Sequence, residues 1–241
     1  MQQESPHKDI MPVWLRGIRV YPFETVDSLM DYAFECKGLL VAMNAEKILN
    51  ATPHTKKIFN ENITYCDGGG AVLAVRQKGG DKAVKIAGCD LWLKLVQRYH
   101  KGCSFYIIGA KKEVNDRAVE KLREMYPSIN IAGHRDGYIN TPQERQQLID
   151  DIVMTKPDIV FVAMGSPRQE LLMAEMKTRH KAVYQGLGGS LDVFVGNERR
   201  APLWFQKNNI EFLYRIFQRP GRIKRNIKYF KFAWWLIWKK F

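Results

Sequence analysis

The sequence predicts an α/β domain with a mostly parallel sheet covered by helices, followed by a basic helical appendage. Short runs of apolar and β-branched residues alternate with helical patterns along the chain, as they do in βαβ units. The run 157-PDIVFVAM-164 is apolar at consecutive positions, which is typical of a strand buried on both faces. A chain of 241 residues can bury such a core, and we expect one domain over 1–201 and the appendage over 202–241.

Six segments are predicted as strands because apolar, β-branched and aromatic residues predominate in each of them. In chain order they are 39-LLVAM-43, 63-ITYC-66, 103-CSFYIIG-109, 129-INIAG-133, 157-PDIVFVAM-164 and 181-KAVYQG-186. Helices are predicted where apolar residues recur at the three- and four-residue spacing of one helix face. Clear examples are 90-DLWLKLVQRYH-100, 112-KEVNDRAVEKLREMY-126, 142-PQERQQLIDDIVM-154 and 167-PRQELLMAEMKTRH-180.

The composition, 46% hydrophobic and 26% charged residues, is that of an ordinary globular protein. The first residues contain no basic segment followed by an apolar one, so we expect no secretory signal. No apolar run approaches the roughly 18–20 residues that a membrane-spanning helix needs. The four cysteines are far apart and form no CxxC motif, which predicts free thiols and a cytoplasmic protein.

The positive charge is concentrated at the end of the chain. The formal net charge is +13, and residues 212–241 contain nine Lys or Arg residues but no Asp or Glu. In a helical projection of this segment, apolar residues form a stripe along one face of the helix, and Trp235 and Leu236 fall outside that stripe. The stripe consists of Ile223, Ile227, Phe230, Trp234, Ile237, Trp238 and Phe241. Aromatic residues in a stripe bordered by Lys and Arg predict a helix lying in the headgroup plane of an anionic membrane.

Two alternatives are open for this tail. A helix docked against the domain would explain Trp235 and Leu236, and it is compatible with lipid contact by other turns. Basic and aromatic residues also interleave over 222–240, as in segments that stack on nucleic-acid bases. The helical spacing favours a membrane surface, and we expect no nucleic-acid partner.

Glycine-rich motifs follow three of the predicted strands. They are 67-DGGG-70, 165-GSPRQE-170 and 186-GLGGSLDVFVG-196. Ligands of open parallel sheets bind at the carboxyl ends of the strands, and glycines before a helix N-terminus allow close approach of an anion. We therefore expect a phosphate compound at this edge of the sheet.

The chain lacks the motifs of the commonest phosphate-binding enzymes. GLGGSL predicts a dinucleotide-binding enzyme only weakly, because Leu191 stands where a third small residue is expected. There is no P-loop, no D-x-D and no cluster of His or Cys residues, so we expect neither a cofactor nor a metal ion. The charge of a departing diphosphate would then be compensated by Arg, Lys and backbone N–H groups.

Five motifs, in order from about Met11 to the C-terminus, resemble the WecG/TagA/CpsF family of glycosyltransferases. They are NAEKIL (44–49), CDGGGAV (66–72), AMGSPRQE (163–170), GLGGSLDVFVGNERRAP (186–202) and EFLYRIFQRPGRIKR (211–225). The resemblance implies a Rossmann-like catalytic domain with a C-terminal appendage. It also implies an inverting, metal-independent transfer from a UDP-sugar to GlcNAc carried on undecaprenyl diphosphate.

Within the family, the motifs are most similar to those of members that use UDP-N-acetyl-D-mannosaminuronic acid. This similarity implies the second step of the assembly of the lipid-linked trisaccharide of enterobacterial common antigen. It places the enzyme peripherally on the inner face of the bacterial inner membrane. A UDP-N-acetylmannosamine transferase of a related polymer pathway is the alternative.

The family pattern implies that Asp67 is the general base that deprotonates the attacking GlcNAc hydroxyl. The residue alone favours a turn former whose side chain caps the next helix, and the resemblance favours the base. Asn44 is implied to contact substrate hydroxyls, and its alternative role is a helix N-cap. Some relatives have Thr where this chain has Ala42, so a role for that hydroxyl is not carried over.

The resemblance implies a further set of substrate-binding residues. They are Asn44, Gly165, Ser166, Gln169, Gly188, Gly189, Asp192, Arg215, Arg222 and Arg225. Gln169 is expected to face the sugar or the uridine, and Asp192 either contacts the donor or holds loop N–H groups. The three arginines would surround the diphosphate, because guanidinium groups pair with phosphate in bidentate geometry. Lys47 and Arg168 are the candidates for binding a uronate carboxylate.

Overall fold

The computed structural model of the chain describes residues 10–202, 204–205, 232 and 234–238. Its strands are β1 Val13–Leu15, β2 Ile18–Val20, β3 Gly38–Met43, β4 Ile63–Cys66, β5 Ser104–Gly109, β6 Asn130–Arg135, β7 Ile159–Ala163 and β8 Val183–Gly186. The first two strands form an antiparallel hairpin, and the other six form one parallel sheet in the order β4-β3-β8-β7-β5-β6. All six predicted strands are present, and the predicted α/β fold is confirmed.

The helices of the described residues lie between these strands and after the last of them. They are α1 Val26–Cys36, α2 Ala45–Asn50, α3 Pro53–Asn60, α4 Gly69–Arg76, α5 Gly88–Tyr99, α6 Lys112–Met125, α7 Pro142–Thr155, α8 Arg168–Arg179 and α9 Ser190–Phe194. Residues 204–205, 232 and 234–237 are also helical. The rest of the predicted appendage, including Arg215, Arg222 and Arg225, lies outside the described residues.

The sheet separates two hydrophobic cores. One core packs α2, α3, α4, α7 and α8 against one face of the sheet, and the other packs α1, α5, α6 and α9 against the opposite face. The central strand β7 is buried at all five positions, as its apolar sequence predicts. None of the helices formed by the described residues is both long and apolar enough to cross a bilayer.

The order of the strands determines where the loops meet. The chain runs from β3 outward to β4 at one edge, then from β5 outward to β6 at the other, and β7 and β8 fill the gap between. All six strands are parallel, so their carboxyl ends share one edge of the sheet. Ligands of such sheets bind at this edge, where the direction of the connections reverses.

Candidate active site

The predicted site residues of the domain follow four neighbouring strands. Asp67 follows β4, Asn44 follows β3, the loop 187–189 follows β8 and the loop 164–167 follows β7. These strands are adjacent in the order β4-β3-β8-β7, and neighbouring strands lie about 4.8 Å apart. The fold therefore gathers these residues at one end of the sheet. The carboxyl ends of β5 and β6 contribute none of them.

Asp67 is held by hydrogen bonds at both its backbone and its side chain. Its N–H donates to the carbonyl of Met43 (2.9 Å), which extends the pairing of β4 with β3 by one residue. Its carboxylate atom Oδ1 accepts the N–H of Gly88 (2.8 Å), the first residue of α5. The side chain therefore caps α5 and not α4, the next helix, which the sequence-based alternative expected it to cap. Asp67 itself is half-buried at the sheet edge.

Asn44 lies beside Asp67 and caps α2. Its Oδ1 accepts the N–H of Lys47 (3.0 Å), so the predicted N-cap role is present. A side chain at Gly68 would lie 3.8 Å from Cβ of Asn44, which places the two loops in near contact. Contact of Asn44 with substrate hydroxyls stays a prediction.

Gln169 is buried and links two loops of the site. Its side chain is only 4% exposed, and its Oε1 accepts the N–H groups of Gly165 (3.1 Å) and Gly188 (3.0 Å). The amide thus joins the loops after β7 and β8. A Cβ on Gly186 would lie 2.2 Å from Nε2 of Gln169, so this packing requires glycine there. A direct substrate contact of Gln169 stays a prediction.

The next residue, Glu170, belongs to a buried ion pair. Lys47 Nζ lies 2.7 Å from Glu170 Oε1, and the two side chains are 12% and 1% exposed. Burial alone would raise the pKa of Glu170, but the charge of Lys47 and the hydrogen bonds from Lys47 and Gln169 outweigh it, so the pKa is lowered. Lys47 is therefore already paired, whereas Arg168 is exposed at the start of α8.

The glycine loops present their backbone to open space. Gly165 and Gly188 have positive φ angles of 74° and 57°, which favour glycine, and a Cβ on either would meet no atom of the described residues within 4 Å. Gly189 precedes α9 and provides no side-chain cap, and a Cβ there would also meet none of the described atoms. Ser166 is exposed in the same loop as Gly165. This arrangement allows close approach of a ligand to backbone N–H groups.

Asp192 lies in the first turn of α9 and is half-buried. Its backbone carbonyl accepts the N–H groups of Asn197 (2.8 Å) and Glu198 (3.2 Å). The loop is therefore held by the main chain of Asp192, and its carboxylate makes no hydrogen bond to another described residue. A contact of this carboxylate with the donor stays a prediction.

The described part of the tail packs on α4, the helix that follows Asp67. A Cβ on Gly70 would lie 2.9 Å from the ring of Phe232, so the absence of a side chain makes room for this ring. Gln77 Nε2 donates to the carbonyl of Leu236 (3.0 Å), and the guanidinium of Arg16 lies 3.9 Å from the ring centroid of Trp235. These contacts place residues 232 and 234–238 beside α4, the helix that follows Asp67.

The comparison with known protein families agrees with this geometry. A sequence model of the glycosyl transferase WecG/TagA/CpsF family matches residues 13–241. The chain belongs to this family. Membership in the WecG/TagA/CpsF family establishes a glycosyltransferase that acts on lipid-linked sugars.

Two residues of this WecG/TagA/CpsF transferase near Asp67 escaped the sequence analysis. Tyr65 and Gln185 were assigned simply to strands, and both are fully buried beneath the site. The polar Gln185 inside the apolar run AVYQ was the one signal that pointed to them, since buried amides need hydrogen-bond partners. Within the described residues, no three His, Cys, Asp or Glu side chains form a group that could bind a metal.

Proposed function

We propose that the protein transfers N-acetyl-D-mannosaminuronic acid from UDP to GlcNAc on undecaprenyl diphosphate, with inversion at the anomeric carbon. This is the second step in the assembly of the lipid-linked trisaccharide of enterobacterial common antigen. The observation that carries the proposal is the position of Asp67 in a family glycosyltransferase. Its carboxylate accepts the N–H of Gly88 in the first turn of α5 at the carboxyl edge of the sheet, and the next residue, Gly68, lies beside Asn44.

In this mechanism Asp67 accepts the proton of the attacking GlcNAc hydroxyl. The hydroxyl oxygen forms the new bond to the anomeric carbon, and the bond from that carbon to the diphosphate of UDP breaks on the opposite face. A general base of this kind typically contributes a factor of about 10² to 10⁴ to the rate. The reaction uses Asp67 as a carboxylate, and the N–H of Gly88 holds its Oδ1 in place.

The departing UDP carries the negative charge that the protein must stabilise. The glycine loops after β7 and β8 are suited to this task, because a Cβ on Gly165, Gly188 or Gly189 would meet no described atom and an anionic group can approach the backbone closely. Gln169 Oε1 binds the N–H groups of Gly165 and Gly188, which holds the two loops in place for this approach. Arg215, Arg222 and Arg225, which lie outside the described residues, complete the compensation in our proposal. The reaction then needs no divalent ion, and activity should survive treatment with EDTA.

The carboxylate of the uronate requires a cation, and Arg168 is the better candidate. Arg168 is exposed beside the loop 164–167, whereas Lys47 is already paired with the buried Glu170. Arginine binds carboxylates in bidentate geometry, which discriminates a uronate from the corresponding neutral sugar. In Arg168→Gln the preference for the uronate donor should therefore weaken more than the turnover of the neutral donor.

The tail is proposed to bind an anionic membrane, where a lipid-linked acceptor resides. Phe232 and Trp235 are buried against the domain, whereas Trp234, Ile237 and Trp238 are 48%, 76% and 63% exposed. The three exposed residues belong to the predicted apolar stripe, which in this short segment points away from the protein. Exposed tryptophans within a basic helix are typical of lipid headgroup contact. This agrees with a tail that docks through one side and contacts lipid through the other.

Vesicle sedimentation tests the membrane proposal. The triple variant Trp234→Ser/Ile237→Ser/Trp238→Ser should bind vesicles containing anionic lipid more weakly than the wild type at moderate salt. Met154→Ser is the matched control, because Met154 is an equally exposed apolar residue of the remote helix α7. Equal sedimentation of the triple variant and the wild type would contradict the proposal.

The deciding experiment for the activity is a transfer assay on a GlcNAc-diphosphoryl-lipid acceptor. UDP-N-acetylmannosaminuronate and UDP-N-acetylmannosamine are compared as donors, each with and without EDTA. Transfer of the uronate in the presence of EDTA is the expected result. Preference for the neutral donor would favour the related polymer pathway, and loss of activity that Mn²⁺ or Mg²⁺ restores would overturn the metal-free mechanism.

A further inference from the structure

Two buried polar atoms beneath Asp67 have no role in the chemistry described above. Tyr65 in β4 and Gln185 in β8 are both 0% exposed. The hydroxyl of Tyr65 and Oε1 of Gln185 make no hydrogen bond of good geometry with a described residue, although the Gln185 side chain lies near enough to the Tyr65 hydroxyl to act on its pKa. An unpaired buried polar atom opposes folding, so the packing of the core does not by itself explain the Tyr65 hydroxyl or Gln185 Oε1.

Both residues converge on Gly88, the first residue of α5. Gln185 Nε2 donates to the carbonyl of Gly88 (2.8 Å), while the N–H of the same glycine donates to Asp67 Oδ1 (2.8 Å). The peptide groups on the two sides of Gly88 are therefore fixed by β8 and by the residue after β4. Ala42 of the intervening strand β3 lies beneath, 3.5 Å from the position of a Cβ on Gly88.

Tyr65 supports the same turn from below. A Cβ on Gly88 would lie 3.0 Å from the Tyr65 hydroxyl, 3.6 Å from Asp67 Oδ1, and within the tightly packed space between them. Burial, followed by the negative charge of Asp67, raises the pKa of Tyr65 well above its ordinary value. The hydroxyl therefore stays protonated and presents a neutral O–H group close to the carboxylate.

We propose that Tyr65 and Gln185 are positioning residues for the transfer reaction. Gln185 fixes the first peptide of α5 by a hydrogen bond. Tyr65 packs below this peptide and determines its distance from the sheet. The N–H of Gly88 then holds one oxygen of the Asp67 carboxylate and leaves the other oxygen to accept the proton of the incoming hydroxyl. The inference rests on the proposed role of Asp67 as the base.

This arrangement acts on rate more than on substrate affinity. A displacement of a catalytic group by about 1 Å can lower a rate roughly a hundredfold, although no substrate contact is removed. Tyr65→Phe and Gln185→Met should each lower kcat about tenfold to a hundredfold and leave KM for the donor nearly unchanged. Tyr65→Phe should keep or raise the melting temperature, because it removes an unpaired buried hydroxyl.

A merely structural role gives the opposite pattern, with an altered melting temperature and an unchanged kcat. Asn115→Leu is the matched control, because Asn115 is a buried amide that donates to the carbonyls of Gly109 (3.0 Å) and Arg135 (2.9 Å) on the far half of the sheet. It should lower the melting temperature and leave the kcat of the folded enzyme unchanged. Wild-type kcat in both Tyr65→Phe and Gln185→Met would overturn the inference.

The double variant Asp67→Asn/Gln185→Met separates this inference from the proposed function. If Gln185 acts through Asp67, the double variant should be no slower than Asp67→Asn alone. A further tenfold loss in the double variant would contradict positioning through Asp67. Near-normal turnover of Asp67→Asn would instead refute the base itself, whereas an inactive Asp67→Asn beside fully active Tyr65 and Gln185 variants would refute only the positioning.

Discussion

Four of the five helices that begin at the site start differently from most of those that begin elsewhere, and the exception at the site is α2, which Asn44 caps. Away from the site, α1, α3 and α7 carry complete capping boxes, in which Thr25, Thr52 and Thr141 each accept a backbone N–H three residues ahead. At the site, α4, α5, α8 and α9 follow Gly68, Ala87, Pro167 and Gly189, none of which provides a side-chain cap. The first N–H groups of α4, α5, α8 and α9 are therefore not bound by the side chains of their own N-cap residues.

The contrast has a functional meaning. A self-capped helix satisfies its first N–H groups locally, whereas an uncapped one needs partners from elsewhere in the protein or from a ligand. Asp67 provides such a partner for α5, and Gln169 provides one for the glycine loop that leads to α9. The remaining N–H groups of these turns are suited to an anionic substrate. The helix α6, which follows β5 on the half of the sheet without predicted site residues, also lacks a side-chain cap and can therefore serve as a control.

The largest expected effect comes from the carboxylate of Asp67, which binds the first N–H group of the uncapped helix α5. Asp67→Asn should lower turnover by about 10² to 10⁴-fold, because the amide cannot accept the proton of the acceptor hydroxyl. Binding of UDP, measured by calorimetry, should be nearly unchanged. Asp136→Asn is the control, since Asp136 follows β6 at the same sheet edge and its carboxylate accepts the N–H of Tyr138 (2.8 Å). Comparable losses of turnover in both variants would show that the site is not confined to the half of the sheet that carries Asp67.

The second effect concerns stability at the site. Lys47→Met leaves the buried Glu170 carboxylate without its cation and should lower the free energy of unfolding by about 3–5 kcal/mol, measured by urea denaturation. Lys112→Met is the control, because Lys112 forms an exposed pair with Asp116 at 2.6 Å, and its loss should have no measurable effect. Equal stability of Lys47→Met and Lys112→Met would show that the buried pair does not stabilise the site.

The same pair predicts the dependence on pH. In the wild type the pKa of Glu170 is lowered, so its contribution to stability is present above the ordinary value of about 4.3 and is lost as the pH falls below it. Without Lys47, burial dominates and the pKa should rise, so the folded variant gains stability as the pH falls from 7 toward 5. The stability difference between wild type and Lys47→Met should therefore narrow over this range. A constant difference would contradict the assignment.

The sequence predicted local features more completely than contacts between distant segments. The six strands of the parallel sheet were predicted because each is a short apolar run, and the order of the motifs placed Asp67 and Asn44 at the sheet edge. The orientation of Gln169 was not predicted, because it depends on the N–H group of Gly188 in another loop. The Lys47–Glu170 pair joins residues more than a hundred positions apart, and nothing in the local pattern of either residue indicates it.

A smaller effect is expected from a cap outside the site. Thr141→Ala removes the side chain that caps α7 and should lower the free energy of unfolding by about 1 kcal/mol. The turnover of the folded enzyme should be unchanged, because α7 follows the edge strand β6, which β5 separates from the strands that carry the site. A fall in turnover beyond that expected from partial unfolding would show that the self-capped helices also contribute to the site.

The smallest effect comes from adding a cap where the protein has none. Gly68 has φ −134° and ψ 155°, which suit a serine N-cap, and a Cβ there makes only an ordinary contact with Asn44 at 3.8 Å. In Gly68→Ser the hydroxyl should accept an N–H of the first turn of α4 and change stability by only a few tenths of a kcal/mol. If that N–H otherwise binds substrate, KM should rise about three- to tenfold, the cost of one hydrogen bond.

Lys111→Ser likewise introduces a serine N-cap, at a helix for which no substrate contact is proposed. Lys111 precedes α6 with φ −74° and ψ 157°, again without a side-chain cap, and it follows β5 on the half of the sheet that carries no predicted site residue. The new cap should stabilise α6 by about 1 kcal/mol or less and leave KM unchanged. A raised KM in Gly68→Ser beside a normal KM in Lys111→Ser would assign the open N–H groups of α4 to substrate binding. Unchanged KM values in both would mean that glycine at position 68 serves only the approach of Asn44, and that an uncapped helix start does not by itself mark the site.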